Sequence, residues 1–300
     1  IDDRLVWSET SGGGQVNSGA PIRAGDTILL RDGYHGEPVL NGYHNDLMIT
    51  VAAEDGHTPE LRSLQLNGVG NWTFSGLTIS PELSPSFAKL GSLVGISSGT
   101  YGDSHDVTID DCFIYSVLDT SGYSASDWVN LTSSGISLGR GGHDINVTGN
   151  HLLNVGHGIS LSATDVYVAH NVVENFRGDG MRAVNHNQVI EYNVIKNCYD
   201  VDANHDDGIQ VFKSYVAQGV VRNLTIRGNR ILNFEDIDQP HRGTLQGMGM
   251  FEGPHENFHV ENNVVITDHW HGITIYWARN STIVNNTAVN PLYVTGQSSR

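Results

Sequence analysis

Two cysteines are all that 300 residues contain, Cys112 and Cys198, so no disulfide framework organises this chain. Proline is also scarce, at 8 against 35 glycines, and charged residues make up only 16%. A disordered chain would be richer in both, so a folded, turn-rich domain is expected. Lysine and arginine number 16 against 33 acidic residues, a formal net charge of −17. Phosphate binding needs clustered cations, which excludes nucleic acid as a partner. A polyanionic ligand would need a locally basic groove or a divalent cation. No apolar run approaches the ~20 residues of a membrane span. No signal peptide precedes Ile1, as in a processed, exported protein, so a secreted, cell-surface or periplasmic location is expected. Nucleophile-elbow, phosphate-loop and dinucleotide fingerprints are missing too.

What the chain does have is a repeat. Stacking the segments that begin at Asp106, Asp144, Asp165, Gln188, Asn223, Asn257 and Ser281 brings asparagines 150, 171, 193, 229, 263 and 286 into one slot, which Asp111 fills in the first segment. The intervals are 21, 22, 36, 34 and 23 residues, a coil of 21 to 23 residues with two long excursions. Each coil alternates apolar and polar residues, then repeats its strand after the asparagine. Short strands at this period, with one polar residue stacked at a corner, signify a solenoid. The asparagines are read as a structural amide ladder without chemistry. Neither a leucine-rich consensus nor a helical period is present. The fold expected is a single all-β domain over residues 1–300, a right-handed parallel β-helix, with an irregular N-terminal region at 1–24. Cys112 and Cys198 fall three coils apart, roughly 14 Å at ~4.8 Å per coil, too far to bridge. The end of the chain lacks a capping helix, so an open sheet edge is expected there, to be covered by a further domain or a partner.

The second strand of each coil aligns on Gly158, Gly180, Gly208, Gly249 and Gly272, which turns Ser160, Arg182, Gln210, Phe251 and Thr274 outward. Arg182 and Gln210 become neighbours. The excursions at 198–206 and 234–246 leave successive coils and should wall the same side of the solenoid, with a binding groove between them floored by Asp179, Arg182, Gln210 and Lys213. Arg177, Tyr199 and Arg242 are further candidates for substrate contact. Asp200, Asp202, Asn204 and Asp206 place oxygen ligands at alternate positions, as calcium loops do, although His205 and Val211 stand where an EF-hand needs Gly and Glu. A solvated acidic loop explains the same residues. His269 and His271 flank Trp270, which with Tyr276 and Trp277 offers a stacking surface for sugar rings.

With these residues in place, the chain resembles the pectin-lyase-like superfamily of parallel β-helices. The runs IRAGDTILLRDGYH, MITVAAEDG and WTFSGLTI resemble the opening coils of polysaccharide lyases of the chondroitinase B and alginate lyase type. DDGIQVFKS at 206–214 is similar to that family's strand of calcium-binding carboxylates followed by a catalytic Lys-Ser. The resemblance implies Asp206 as a calcium ligand and Lys213 as the proton-abstracting base, while Gly208 replaces a second carboxylate. Phe251, Glu252, Gly253 and Pro254 stand where the family carries Phe-Arg-His-Gly, so its catalytic arginine is missing. Residues 268–289, and DQPH at 238–241, also resemble mannuronan C5-epimerases.

The function expected is therefore Ca²⁺-assisted β-elimination on an acidic, uronate-containing polysaccharide, alginate-like or pectin-like. Calcium or Arg182 neutralises the uronate, and Lys213, His205 or His241 abstracts the C5 proton. Three alternatives stay open. They are C5-epimerisation, glycoside hydrolysis by two of Asp179, Asp206 and Asp207, and glycan binding without turnover, as by an adhesin or tailspike-like module.

Overall fold

A computed structural model describes residues 8–11, 14–212 and 219–290. They form the expected parallel β-helix, with a single α-helix, Ala125–Leu131, among the described residues. Lys213 lies outside the described residues. So do residues 1–7 and 291–300, and with the latter the expected C-terminal open edge. The N-terminal region is less irregular than expected. Ser8–Ser11 pairs antiparallel with Gly14–Val16 and joins the first sheet at His44.

Each full coil has three strands rather than two, for example His143–Thr148, His151–Val155 and Ile159–Leu161. Only Gly149 and Asn150 separate the first two, too short a break to show in a period-2 pattern. Equivalent strands of successive coils pair in parallel and build three long sheets. The first runs from His44–Ala53 to Thr282–Val284, the second from Gly33–Tyr34 to Thr287–Val289, and the third from Val39–Asn41 to Ile273–Ile275.

Inward positions stack in columns because the parallel pairings hold register from coil to coil past an irregularity between His44 and Ile49. Val51, Phe74, Ile109, Val147, Val168 and Ile190 line one column, all buried. Val94, Ile136, Ile159, Met181, Ile209 and Met248 line another. Each such side chain contributes about 1.5–3 kcal/mol on burial. Gln188 interrupts the apolar interior, and its Nε2 donates to the carbonyls of Leu161 and Ala163 at 3.0 and 2.8 Å.

The asparagine slot is the corner between the first two sheets. The Nδ2 of Asn150, Asn171, Asn193, Asn229 and Asn263 each donates to Oδ1 of the next, at 2.8–3.0 Å, and that Oδ1 also accepts the donor's own backbone N–H. Cys112, not Asp111, fills the slot in the preceding coil, since its backbone N–H donates to Asn150 Oδ1 at 3.0 Å. Asp111 sits one residue earlier, with φ 49°, in the left-handed position that Gly149 occupies in the next coil. Aspartate tolerates that backbone conformation, and its likeness to asparagine misplaced it by one residue. Both cysteines are buried and free, three coils apart.

A second ladder, of glycines, turns the chain from the second sheet into the third. A Cβ on Gly180 would lie 2.7 Å from the Gly208 carbonyl oxygen, and one on Gly208 would lie 2.6 Å from that of Gly247. The corner is too tight for any other residue. The ladder continues through Gly247, not Gly249, because Gln210 pairs with Gly249 and Ile209 with Met248. Phe251 therefore sits two residues beyond the position expected beside Gln210.

Candidate functional site

The residue preceding each ladder glycine is polar in five successive coils, giving the row His157, Asp179, Asp207, Gln246 and His271. Backbone bonds fix their alignment. Gly158 N–H donates to Asp179 O, Gly180 N–H to Asp207 O, and Gly247 N–H to His271 O, while Asp207 pairs with Gln246. Three residues later in each coil, a second row faces outward from the third sheet. It comprises Ser160, Arg182, Gln210, Gly249 and Thr274.

The inner row orients the outer one. Arg182 Nε donates to Asp179 Oδ2, Gln210 Nε2 to Asp207 Oδ2 at 3.1 Å, and His271 Nδ1 lies 2.8 Å from Thr274 Oγ1. Asp179 and Asp207 are fully buried, and Asp207 N–H donates to Asp179 Oδ1 at 3.0 Å. Arg182 and Gln210 keep partial exposure, and Nη1 and Nη2 are the arginine groups left for a ligand. A guanidinium held through Nε by a buried carboxylate presents a fork suited to an oxyanion.

Burial, then the negative charge of Asp179, pushes the Asp207 carboxyl up to about 8, and burial pushes Asp206 up to about 7. Burial also raises Asp179, against the opposing pull of Arg182. Of this adjacent pair, Asp207 is the one to keep a proton at neutral pH, because Asp179 has the guanidinium. Asp207 Oδ1 has no hydrogen-bond partner. It occupies the space a Cβ on Gly249 would need, and the edge of the Phe251 ring lies 2.6 Å from the same point. Glycine at 249 thus makes room for a bare carboxyl oxygen beneath an aromatic ring.

His157 is held neutral. Burial and the charges of Arg182 and Arg177 lower its pKa to about 4. Its Nδ1 accepts the backbone N–H of Asp179 at 2.9 Å, so the proton resides on Nε2. His157, Ser160 and Arg182 line a cleft of about 530 Å³ that extends toward the N-terminal coils. A second hollow of about 460 Å³ continues past Arg182, lined by His205, Gln210, Phe212, Phe251 and Glu252. Lys213 follows Phe212 directly in the chain.

Both excursions leave at the corner between the second and third sheets, as does the segment carrying the helix Ala125–Leu131. They wall one side of the third sheet, but they pack on each other instead of enclosing a cleft between them. Asp200 N–H donates to His241 O at 3.0 Å, and Gln239 Nε2 to Cys198 O at 2.7 Å. Tyr199 stacks on buried Trp128 at 4.2 Å. His241 is turned to the Tyr123 carbonyl, 3.0 Å from its Nε2, and Arg242 lies over the Phe234 ring. Those contacts hold the wall together and draw His241, Tyr199 and Arg242 into it.

Arg177 binds Asp202 at 2.8 Å and Thr132 at 3.3 Å. Asn204 donates its backbone N–H to Asp202 and its Nδ2 to Asp206, whose other oxygen lies 3.5 Å from the Cys198 thiol. Asp202 is thus taken by a guanidinium, and Asn204 turns amide donors to Asp202 and Asp206, a poor fit to a calcium loop. Among the described residues no three His, Cys, Asp or Glu side chains are grouped to hold a metal ion. His205 is exposed beside Gln210. Trp270 is 75% exposed, its ring 3.5 Å from that of His271, and His271 meets Phe251 edge to face.

The pattern of the family of right-handed beta helix regions matches residues 63–299. The chain belongs to that family. This accords with the resemblance to pectin-lyase-like β-helices. No curated protein matches the sequence. A mutant tailspike protein of E. coli bacteriophage HK620, solved in complex with a pentasaccharide, is similar in structure at 13% identity and a TM-score of 0.52, covering 90% of this chain and 52% of the tailspike. PfbA, a surface adhesin of Streptococcus pneumoniae, is similar at 15% identity and a TM-score of 0.48, over 89% of this chain and 71% of the adhesin. At these identities the likeness is one of fold, and the chain spans about half the tailspike's length.

His157 and Gln246 escaped the sequence analysis, and Gly249 was set in the ladder instead of the outward row. The signal was available, since each ladder glycine follows a polar residue, but the two-residue slip at Gly249 hid the row.

Proposed function

We propose that this β-helix binds an extended, uronate-containing polysaccharide along the outer face of its third sheet and cleaves it beside Arg182. One observation carries the reading. Arg182 is fixed from behind by a buried aspartate, with its remaining donors directed at a cleft that follows the sheet. On this reading the fork of Arg182 holds the uronate carboxylate, assisted by Nε2–H of His157, and so acidifies the C5 proton. Lys213 removes that proton, the electron pair forms the C4–C5 double bond, and the C4–O bond breaks. The departing oxygen takes a proton from solvent or an acidic group. Calcium, if bound, would supply further charge neutralisation at the carboxylate; no step here depends on it.

Hydrolysis is the second reading, and Asp207 favours it. A carboxyl that keeps its proton near neutrality, one coil from a carboxylate, is the pairing a general acid requires. Incubation with a panel of alginate, pectate and glycosaminoglycans, with calcium and then with chelator, separates the readings. New reducing ends with the ultraviolet absorbance of an unsaturated uronate indicate elimination. Reducing ends without that absorbance indicate hydrolysis, and glycan binding with no new ends would refute cleavage.

A further inference from the structure

The charge distribution along the cleft restricts the glycan it can hold. From Val39 the outward positions of successive coils are Gln65, Gly95, Ser137, Ser160 and Arg182. Five coil intervals at ~4.8 Å make this row about 24 Å long. Arg182 is the one cation among the described residues lining the cleft, and Asp179 already answers part of its charge. Ser92, Ser134 and neutral His157 form the parallel row. At the far end stands Glu37, a carboxylate in an ion pair with Arg62. Other cations are tethered as well, Arg62 to Glu37 itself, Arg177 to Asp202 and Lys89 Nζ to the Val129 carbonyl at 2.6 Å.

Serine hydroxyls both donate and accept, which suits the hydroxyls of neutral sugars, but they do not neutralise charge. A chain of consecutive uronates laid along this row would have one cation for several carboxylates, and would approach Glu37, on a protein of net charge −17. We infer, on the reading that this cleft holds a glycan, that its ligand is a heteropolysaccharide in which a single uronate, at Arg182, is separated from the next by neutral sugars lying over the serine rows.

The test compares the full chain on alginate and polygalacturonate with its behaviour on polysaccharides carrying one uronate per repeating unit, by affinity electrophoresis and by release of reducing ends. The mixed polysaccharides should retard the protein at glycan concentrations at least about tenfold lower. Equal or tighter binding of the homopolyuronates overturns the inference and leaves the cleavage reading standing. Binding of the mixed polysaccharides without new reducing ends does the reverse. No binding to any glycan overturns both. Ser137→Lys, on an outward position, adds a second cation two coils from Arg182 and should narrow the gap by strengthening homopolyuronate binding. Ser160→Lys serves the same purpose if the first variant folds poorly. A gap unchanged in a folded variant removes charge as the cause.

Discussion

Stability should fall as pH rises from 6.5 to 8, the opposite of what carboxylates in ordinary ion pairs produce. Asp206 and Asp207 have folded pKa values near 7 and 8, against about 4 unfolded, so the native state binds more protons throughout this interval. A group with a raised folded pKa stabilises fully below its unfolded value and loses that contribution as pH passes its folded value. Between 6.5 and 8 the two aspartates together give up about 2 kcal/mol, of which Asp207 accounts for about two thirds. Below 6.5 the sign is contested, because His157, lowered to about 4, destabilises the native state there. Above 6.5 that opposition fades but persists, because an unfolded histidine is still half protonated at 6.5, so His157 and the other histidines lowered by burial, His186, His255, His269 and His271, offset part of the fall. Urea unfolding followed by circular dichroism at pH 6.5, 7.2 and 8 measures the slope. Asp207→Asn should flatten most of it and make the protein more stable than wild type at pH 8. An unchanged slope in the variant would refute the protonated Asp207 on which the hydrolytic reading depends.

Asn193→Ala strips Asn171 N–H of its partner and removes three further side-chain bonds in the buried ladder, so it should cost about 3 kcal/mol in urea unfolding, whereas Asn187→Gly, on the exposed ladder to Asp165 and Asn223, should cost under about 0.5 kcal/mol. Gly208→Ala drives a methyl against Ile231 and the Gly247 carbonyl and should lower stability by at least about 2 kcal/mol, with a depressed melting temperature as the readout. Arg182→Ala should weaken glycan retention in affinity electrophoresis by roughly 10- to 100-fold, and Arg182→Lys should not restore it, because an ammonium lacks the fork. Retention unchanged in both variants would place the ligand elsewhere.

How much could be seen without coordinates depended on whether a side chain acts within its own coil or between coils. The buried asparagines are an identical residue in an identical slot, so Asn150 to Asn286 could be aligned by eye, and Arg182 and Gln210 followed as neighbours. Asp111 and Gly249 went astray for one physical reason. Aspartate imitates asparagine at a left-handed corner, and a second glycine two residues from the ladder imitates the first. The wall residues were misjudged differently. His241, Tyr199 and Arg242 are chemically suited to a sugar, but Tyr123, Trp128 and Phe234 claim them; Tyr123 and Trp128 lie in another coil, and Phe234 meets Arg242 only once the excursion folds back. Calcium spacing in 200–206 was legible, while the engagement of Asp202 by Arg177 depends on a residue a whole coil away.

The corner between the second and third sheets also governs how such a molecule can change. From Asn150 on, the other coils repeat every 21 to 23 residues, yet the steps from Asn193 to Asn229 and from Asn229 to Asn263 take 36 and 34 without breaking either ladder. The part of that extra length inserted at this corner, in the excursions at 198–206 and 234–246, alters the rim beside the groove and leaves the stacking beneath it untouched. Loops grafted there could redirect the molecule to a different glycan while the spine that carries its stability stays as it is.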